Sequence, residues 1–464
     1  MSRPCPRLLL TALRGGAGKT TLTLGLLAAW RAEGRNVVPF KKGPDYIDPA
    51  WHAIAAGRPS HNLDPFLMEG EQIKALVSRH AQVADALLME GNRGLFDGLD
   101  AQGTYSTAEL AKLLKVPVVL VVDCTMTTRT AAALVMGCQH FDPQVNLAGV
   151  ILNQVARPRH EDILRKTIEH NCQIPVLGAV PRQKCAVFPE RHMPGLWQAA
   201  SQAPPLPTAS QPLYPVVDLQ NPVKIGIVRD AAFQFYYPEN LEALEQAGAR
   251  LVYLNALNQA ALPPDLDALY LGGGFPETNA AALAGNEDFR TSLRLAAEDG
   301  LPIYAECGGL MYLGRTIQTL EGRSYPMVGL LPHDFLMGQS PQGHGYTVLE
   351  VEGTNPYFPS GTCLKGHEFH YSRMQPEPGP EATLVFRVTR GAGICGHRDG
   401  FVYKNVLATY THLHALGAPD WAPALIRQAR EHQNRRQTVK PREGFSQADP
   451  AAAPPGRTRR GATG

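Results

Sequence analysis

Short apolar runs alternate with amphipathic stretches along the first part of the chain. The pattern predicts strands over residues 8–13, 36–40, 86–90, 116–123, 147–153 and 176–180, with helices over 20–32 and 127–138. A strand–helix rhythm of this kind implies βα units around a mostly parallel sheet. Prolines then crowd residues 199–222, AASQAPPLPTASQPLYPVVDLQNP, and the rhythm restarts beyond them. Strands are predicted over 224–229, 250–254, 268–271 and 302–305, and a helix over 238–247. The runs at 346–352, 363–372, 383–388 and 401–409 are richer in strand character and suit an antiparallel extension of a second sheet. The expected organisation is a first α/β domain over 1–198, a linker over 199–222, a second α/β domain over 223–435 and a disordered tail over 436–464.

Composition narrows the class. A chain of 464 residues exceeds what one hydrophobic core organises, and 44% hydrophobic with 19% charged residues is ordinary globular usage. No apolar run approaches the ~18 residues that cross a bilayer. Eight cysteines without a CxxC pair argue against a zinc ribbon or disulfide scaffold and fit a reducing cytoplasm. The net charge is +2, but residues 436–464 hold six basic side chains against two acidic ones, so the body is slightly acidic. A nucleic-acid surface needs a basic stripe that this body lacks.

Residues 14–21, RGGAGKTT, follow the first predicted strand and open the first helix. Backbone N–H groups of Gly15, Gly16 and Gly18 can turn around phosphate oxygens, Lys19 can reach the outer phosphates, and the Thr20 and Thr21 segment opens the helix. The Thr20 hydroxyl can ligate Mg²⁺. The chemistry is binding of a nucleoside triphosphate such as ATP. Leu13 stands where the strict loop has glycine, and Arg14 stands before Gly-Gly. The loop therefore resembles the deviant form of dimeric ATPases and ATP-dependent carboxylate-activating synthetases, a likeness compatible with a homodimer. KKGPDYIDPAWH, residues 41–52, and EGNRGLFD, residues 90–97, end further strands at the edge where open α/β sheets bind ligands. Asp45 and Glu90 are the candidate Mg²⁺ contacts. Asp48 and Asp97 are the candidates for the reacting region, with helix capping as the alternative for each acid. Asp123 suits either a nucleotide-edge ligand or a turn.

In the second half, PIYAECGGLMYLG places Cys307 between a strand and a helix. A thiol at such an elbow sits exposed at a sheet edge, its thiolate favoured by the helix start, with the Gly308 N–H as an oxyanion donor. The upstream GGGFPE loop adds Gly273 and Gly274 to the candidate oxyanion site. The base comes from YTHLH, residues 410–414, where His412 and His414 compete.

These residues resemble a class I glutamine amidotransferase domain, in the subgroup of cobalamin synthesis. In full triads of that class an acid stands two places after the histidine; here His414 occupies it. The subgroup's Tyr-x-His pattern implies a Cys307–His412 dyad. The order of the phosphate loop, KKGPDYIDPAWH, GLFDG, STAELAKLLKVPVVLVVD, GVILN, PERH at 189–192, GGGFPE, AECGGLMYLG and GHEFHYS at 366–372 is similar to the cobyrinate or hydrogenobyrinate a,c-diamide synthase family over residues 8–416. The resemblance implies an amidoligase in which glutamine supplies ammonia at Cys307. ATP then activates the a and c acetate carboxylates of a corrinoid as acyl phosphates. Its partners are the small molecules corrinoid, glutamine and ATP, without nucleic acid or membrane. A nickel-sirohydrochlorin a,c-diamide synthase shares the same motifs. A partition-type ATPase switch would need a basic face or amphipathic terminal helix and would have no use for Cys307.

Overall fold

The computed structural model describes residues 5–182, 213–214, 221–376 and 383–439. The expected proline linker, apart from a few of its positions, PERH and the tail from 440 onward lie outside these residues.

The first domain is a seven-stranded sheet in which every pairing is parallel. Its elements are β1 (Arg7–Ala12), α1 (Lys19–Ala32), β2 (Val37–Lys42), α2 (Ile47–Ala56), β3 (His61–Leu63), α3 (Gly70–Ala81), β4 (Ala86–Glu90), α4 (Thr107–Leu114), β5 (Val118–Asp123), α5 (Arg129–Phe141), β6 (Leu147–Val155), α6 (Pro158–Cys172) and β7 (Val176–Pro181). The sheet order is β3-β2-β4-β1-β5-β6-β7. Strands β1, β2 and β4 are buried along their whole length. Helices on both faces explain why they read as continuous apolar runs rather than alternating ones. The order makes β4 the neighbour of both β1 and β2, so the loops carrying the phosphate motif, KKGPDYIDPAWH and EGNRGLFD leave adjacent strand ends. In register, Glu90 is level with Lys41 on one side and Leu10 on the other.

KKGPDYIDPAWH was expected as a loop, yet α2 begins inside it at Ile47. Asp48 and Pro49 in the first turn are helix-start residues, an acid suiting the positive end and a proline needing no N–H partner there.

The second domain holds a ten-stranded sheet with a parallel half running in from one edge and an antiparallel extension beyond it, as the strand-rich pattern suggested. Strand Ile303–Glu306 lies between two parallel neighbours, Ala268–Leu271 and Val406–Thr409. The segments following all three therefore emerge at one edge: Gly272–Gly274, Cys307 and the His412 segment. One apolar cluster extends from Leu9 and Phe40 in the first domain to Tyr236, Leu413 and Trp421 in the second. The domains thus share a packed interface. Helix Trp421–Val439 runs past the edge expected at 435, and Arg436 donates to the buried Asp267 and to the Pro264 carbonyl at 2.8 Å. Among the described residues no helix is long and apolar enough to cross a membrane.

Candidate active site

The phosphate loop forms as its glycines require. Gly16 and Gly18 have φ of +74° and +92°, and a Cβ on Gly18 would meet Asn153 Nδ2 at 2.3 Å. Asn153 donates to the Ala17 carbonyl at 2.9 Å and so braces the turn from β6. The Lys19 ammonium curls over the loop, donating to the Arg14 carbonyl at 3.1 Å and the Arg93 carbonyl at 2.7 Å. Burial lowers its pKa, with the Lys41 charge acting in the same sense. Arg14, exposed at the surface, pairs with Asp123 at 2.9 Å, which also accepts from the Thr125 N–H. Asp123 is thus both a partner of the loop arginine and a turn residue.

Beside the loop, α1, β2, β4 and α2 bring five side chains together. Thr20 Oγ1 donates to Glu90 Oε1 at 2.8 Å and lies 3.3 Å from Asp48 Oδ2. Lys41 Nζ donates to both carboxylates, at 2.7 Å to Glu90. His52, one turn after Asp48, lies 2.7 Å from Glu90 Oε2. Burial alone would raise the Glu90 carboxyl; the His52 hydrogen bond and the Lys41 charge overcome it and hold the group at about 2. For Lys41, burial is likewise outweighed by Glu90 and Asp48, and its pKa rises.

Asp45, expected as a metal contact, is not among these five. Its Oδ1 accepts from the Ile47 N–H at 2.8 Å and the Asp48 N–H at 3.3 Å, capping α2. Burial, then the Asp48 charge, raises its pKa. Asp48, expected in the reacting region, instead joins Thr20 and Glu90. The spacing of Asp45 two residues before a proline-containing first turn is a capping signature that distinguishes the two acids. Asp97 accepts from the Gly94 N–H at 2.8 Å and shapes the turn after β4.

In the second domain Cys307 has φ +48° and ψ −99°, a conformation that costs a non-glycine residue energy and aims the side chain off the strand end. The thiol was expected to favour the thiolate. Burial raises it instead, with Glu277 adding to the effect, although the Gly308 N–H faces the sulfur and acts in the opposite sense. A helix of only six residues, Gly308–Leu313, does not offset that desolvation. A Cβ on Gly308 would lie 3.0 Å from the Gly274 nitrogen, so these two candidate oxyanion donors are neighbours. A Cβ on Gly273 would strike His412 Cε1 at 2.4 Å.

His412 is buried, stacked on His367 at 4.9 Å, and its Nδ1 lies 3.5 Å from Glu306 Oε2. Glu306 also accepts from the Leu413 N–H at 3.0 Å and the Tyr270 hydroxyl at 2.9 Å. The residue just before the thiol therefore supplies an acid beside His412, which the place two residues after the histidine does not. His414 turns elsewhere: its Nδ1 accepts from the Leu416 N–H at 3.2 Å and its Nε2 lies 3.4 Å from Glu239. Within GHEFHYS, His370 stacks on Tyr410 at 3.6 Å and Glu368 accepts from the Ala392 and Gly393 N–H groups.

A cavity of about 740 Å³ opens between the thiol site and the loops that follow β2 and β4. Asp45, Arg93 and Asp97 line it from the first domain, and Glu277, Cys307 and His412 from the second. Tyr46, from the segment after β2, wedges between them. It stacks on Phe235 at 5.0 Å and packs 5.2 Å from His412, while Tyr237 donates to the Pro44 carbonyl at 3.2 Å.

Residues 8–195 match the CobQ/CobB/MinD/ParA nucleotide binding domain, and residues 224–419 match the CobB/CobQ-like glutamine amidotransferase domain. A cobyrinate a,c-diamide synthase of Magnetococcus marinus is 43% identical, with 92% of this chain and 97% of that protein covered. Proteins of the same name from Dehalococcoides mccartyi and Archaeoglobus fulgidus are 38% and 39% identical over 91% of this chain, with 98% and 97% of their own lengths covered.

Proposed function

The chain belongs to the cobyrinate a,c-diamide synthase family of ATP-dependent, glutamine-using amidoligases, and from that premise we propose that it converts the a and c acetate carboxylates of cobyrinate or hydrogenobyrinate to amides through acyl phosphates, in the cytoplasm. The observation that carries this reading is the shared cavity, with a thiol and imidazole on one wall and the loops of the nucleotide-binding domain on the other.

Chemistry begins at the thiol. His412 takes the Cys307 proton as the sulfur attacks the glutamine carboxamide carbon, and the Gly308 and Gly274 N–H groups face the resulting oxyanion. The proton passes to the leaving nitrogen, ammonia departs, and water hydrolyses the thioester to glutamate. Glu306 orients His412 and offsets its transient charge. In the first domain the Gly15, Gly16 and Gly18 backbone with Lys19 and Thr21 holds the triphosphate. A carboxylate oxygen of the macrocycle attacks the terminal phosphorus and ADP leaves; ammonia then displaces phosphate from the acyl carbon, its proton leaving with the phosphate. Activation is needed because a carboxylate repels nucleophiles and has a poor leaving group. Producing ammonia inside the cavity, beside the acyl phosphate, limits its conversion to ammonium in bulk water.

The donor set for Mg²⁺ is all oxygen: the Thr20 hydroxyl with the Asp48 and Glu90 carboxylates, a set suited to a hard cation. The Lys41 ammonium lies between the same two carboxylates, so the cluster already accommodates a cation. Mg²⁺ supplies charge neutralisation on the transferring phosphoryl group when bound. Asp45 sets α2, and through it Asp48; Asp97 holds the loop that carries Arg93. The domain limits are proposed at 1–198 and 223–439, the second edge moved to the end of the last helix.

The test incubates the enzyme with ATP, Mg²⁺, glutamine and either cobyrinate, hydrogenobyrinate or nickel sirohydrochlorin, and reads product masses for exchange of OH by NH₂. Two such exchanges on a corrinoid are expected. Amidation confined to the nickel tetrapyrrole would assign the other macrocycle.

A further inference from the structure

Away from this cavity, two histidines of the first domain meet two glutamates of the second. His61, at the start of β3, and His80, near the end of α3, have ring centroids 3.9 Å apart. Glu239 and Glu242 sit three residues apart in helix Pro238–Gln246, hence on one face of it. Ligand atoms of His61, His80 and Glu242 all lie within 4.8 Å of one another.

Three features separate this group from a chance cluster. First, His61 Nδ1 is engaged at 2.7 Å by Glu239 Oε1, both groups buried. A carboxylate on one ring nitrogen fixes the tautomer and leaves Nε2 as a lone-pair donor, which is the usual support of a metal-bound histidine. Second, His80 Nε2 is buried with no hydrogen-bond partner among the described residues. Leaving such an atom unpaired costs roughly 1–3 kcal/mol, a cost that a ligand at this position removes. Third, Arg79 and the Tyr214 hydroxyl both use Glu242 Oε2, at 2.8 and 3.4 Å, so among the described residues Oε1 remains for a further contact.

We propose that His61, His80 and Glu242 form a zinc-type site that clasps the two domains together. Two imidazole nitrogens and one carboxylate oxygen, with water as fourth ligand, are a donor set that suits tetrahedral Zn²⁺. Bonds of about 2.0–2.1 Å put donors about 3.3 Å apart, so the three side chains close in by small rotations. Two ligands come from one domain and one from the other, so the ion adds a cross-link to the interface that also carries the His414–Glu239 contact.

The full-length protein, stripped with chelator and free of nucleotide, is titrated with Zn²⁺ alone and with Co²⁺ as a spectroscopic probe. One zinc per chain is expected, with the intense visible bands of tetrahedral cobalt and a higher Tm for the zinc-loaded protein. His80→Ala should abolish both the bands and the Tm shift. Glu242→Gln, at a partly exposed position that tolerates the change, should weaken binding about tenfold or more. Binding that persists undiminished in both variants overturns the proposal, because the ion then sits elsewhere. So do cobalt bands of thiolate charge-transfer type, an octahedral cobalt spectrum, and the absence of stoichiometric binding to the wild type.

Discussion

Gly273→Ala probes the thiol site by crowding the imidazole of His412. The methyl group comes within 2.4 Å of His412 Cε1 and 3.2 Å of Nε2. Comfortable carbon–carbon contact is about 3.5–4.0 Å, so the imidazole must retreat by about 1 Å. Gly273 is not among the positive-φ glycines, so alanine imposes no backbone strain and the effect falls on the neighbour. Retreat is opposed by His367, stacked at 4.9 Å, and by Tyr46 at 5.2 Å. Overpacking of this kind costs about 1–3 kcal/mol of stability, and a misplacement of about 1 Å costs roughly 10²-fold in rate. Glutamate release from glutamine should therefore fall about a hundredfold in kcat/KM. Amidation fed by ammonium salt should remain near wild type, since the Lys19 half-site is untouched. Unchanged glutaminase activity would refute the assignment of His412 as the base; equal loss with glutamine and ammonium would refute the separation of the two half-sites.

Three other outcomes are expected. His412→Ala should abolish glutamine hydrolysis while His414→Ala keeps a measurable fraction, because His414 faces Glu239 rather than the cavity; steady-state glutaminase assays distinguish them, and the reverse ranking would transfer the base. Glu90→Gln, in metal- and nucleotide-free protein, should lower stability by about 3 kcal/mol at pH 7, the equivalent of holding a carboxyl at about 2 instead of 4.5. A depressed carboxyl stabilises the fold above its unfolded pKa and loses that contribution as pH falls, so the gap in urea midpoints should narrow below about pH 4.5; a pH-independent gap contradicts the ion-pair origin. Ending the chain after Val439 should leave glutamine-dependent amidation intact, whereas ending it before Arg436 should lower Tm by removing the contact to buried Asp267.

What the sequence makes legible here is local. The phosphate loop, the thiol elbow and the Tyr-x-His segment are each defined by neighbours in the chain, and their glycines and strand ends lie where the pattern puts them. The Lys41–Glu90 contact is a matter of register between strands forty-nine residues apart, which β-strand order decides and composition does not. That Asp48 rather than Asp45 lies beside Thr20 follows from the start of α2, a boundary hidden in a segment dense with charge. Glu306 was visible as a neighbour of the thiol, but its position beside His412 depends on two parallel strands ending level, with Glu306 opposite Thr409. The His61–His80–Glu242 group carries no spacing motif at all, since its members come from two domains.

The division of labour between the domains is tested most directly by amide formation on the corrinoid with each nitrogen source in Cys307→Ala and Lys19→Ala. Cys307→Ala should form no amide from glutamine and regain diamide synthesis when ammonium salt is supplied at raised pH, where free ammonia enters the cavity. Lys19→Ala should form no amide from either source, because the outer phosphates lose their contact and the carboxylate stays unactivated. Glutamine-dependent amidation by Cys307→Ala, or ammonium-dependent amidation by Lys19→Ala at the wild-type rate, would contradict the assignment of ammonia release to one domain and carboxylate activation to the other.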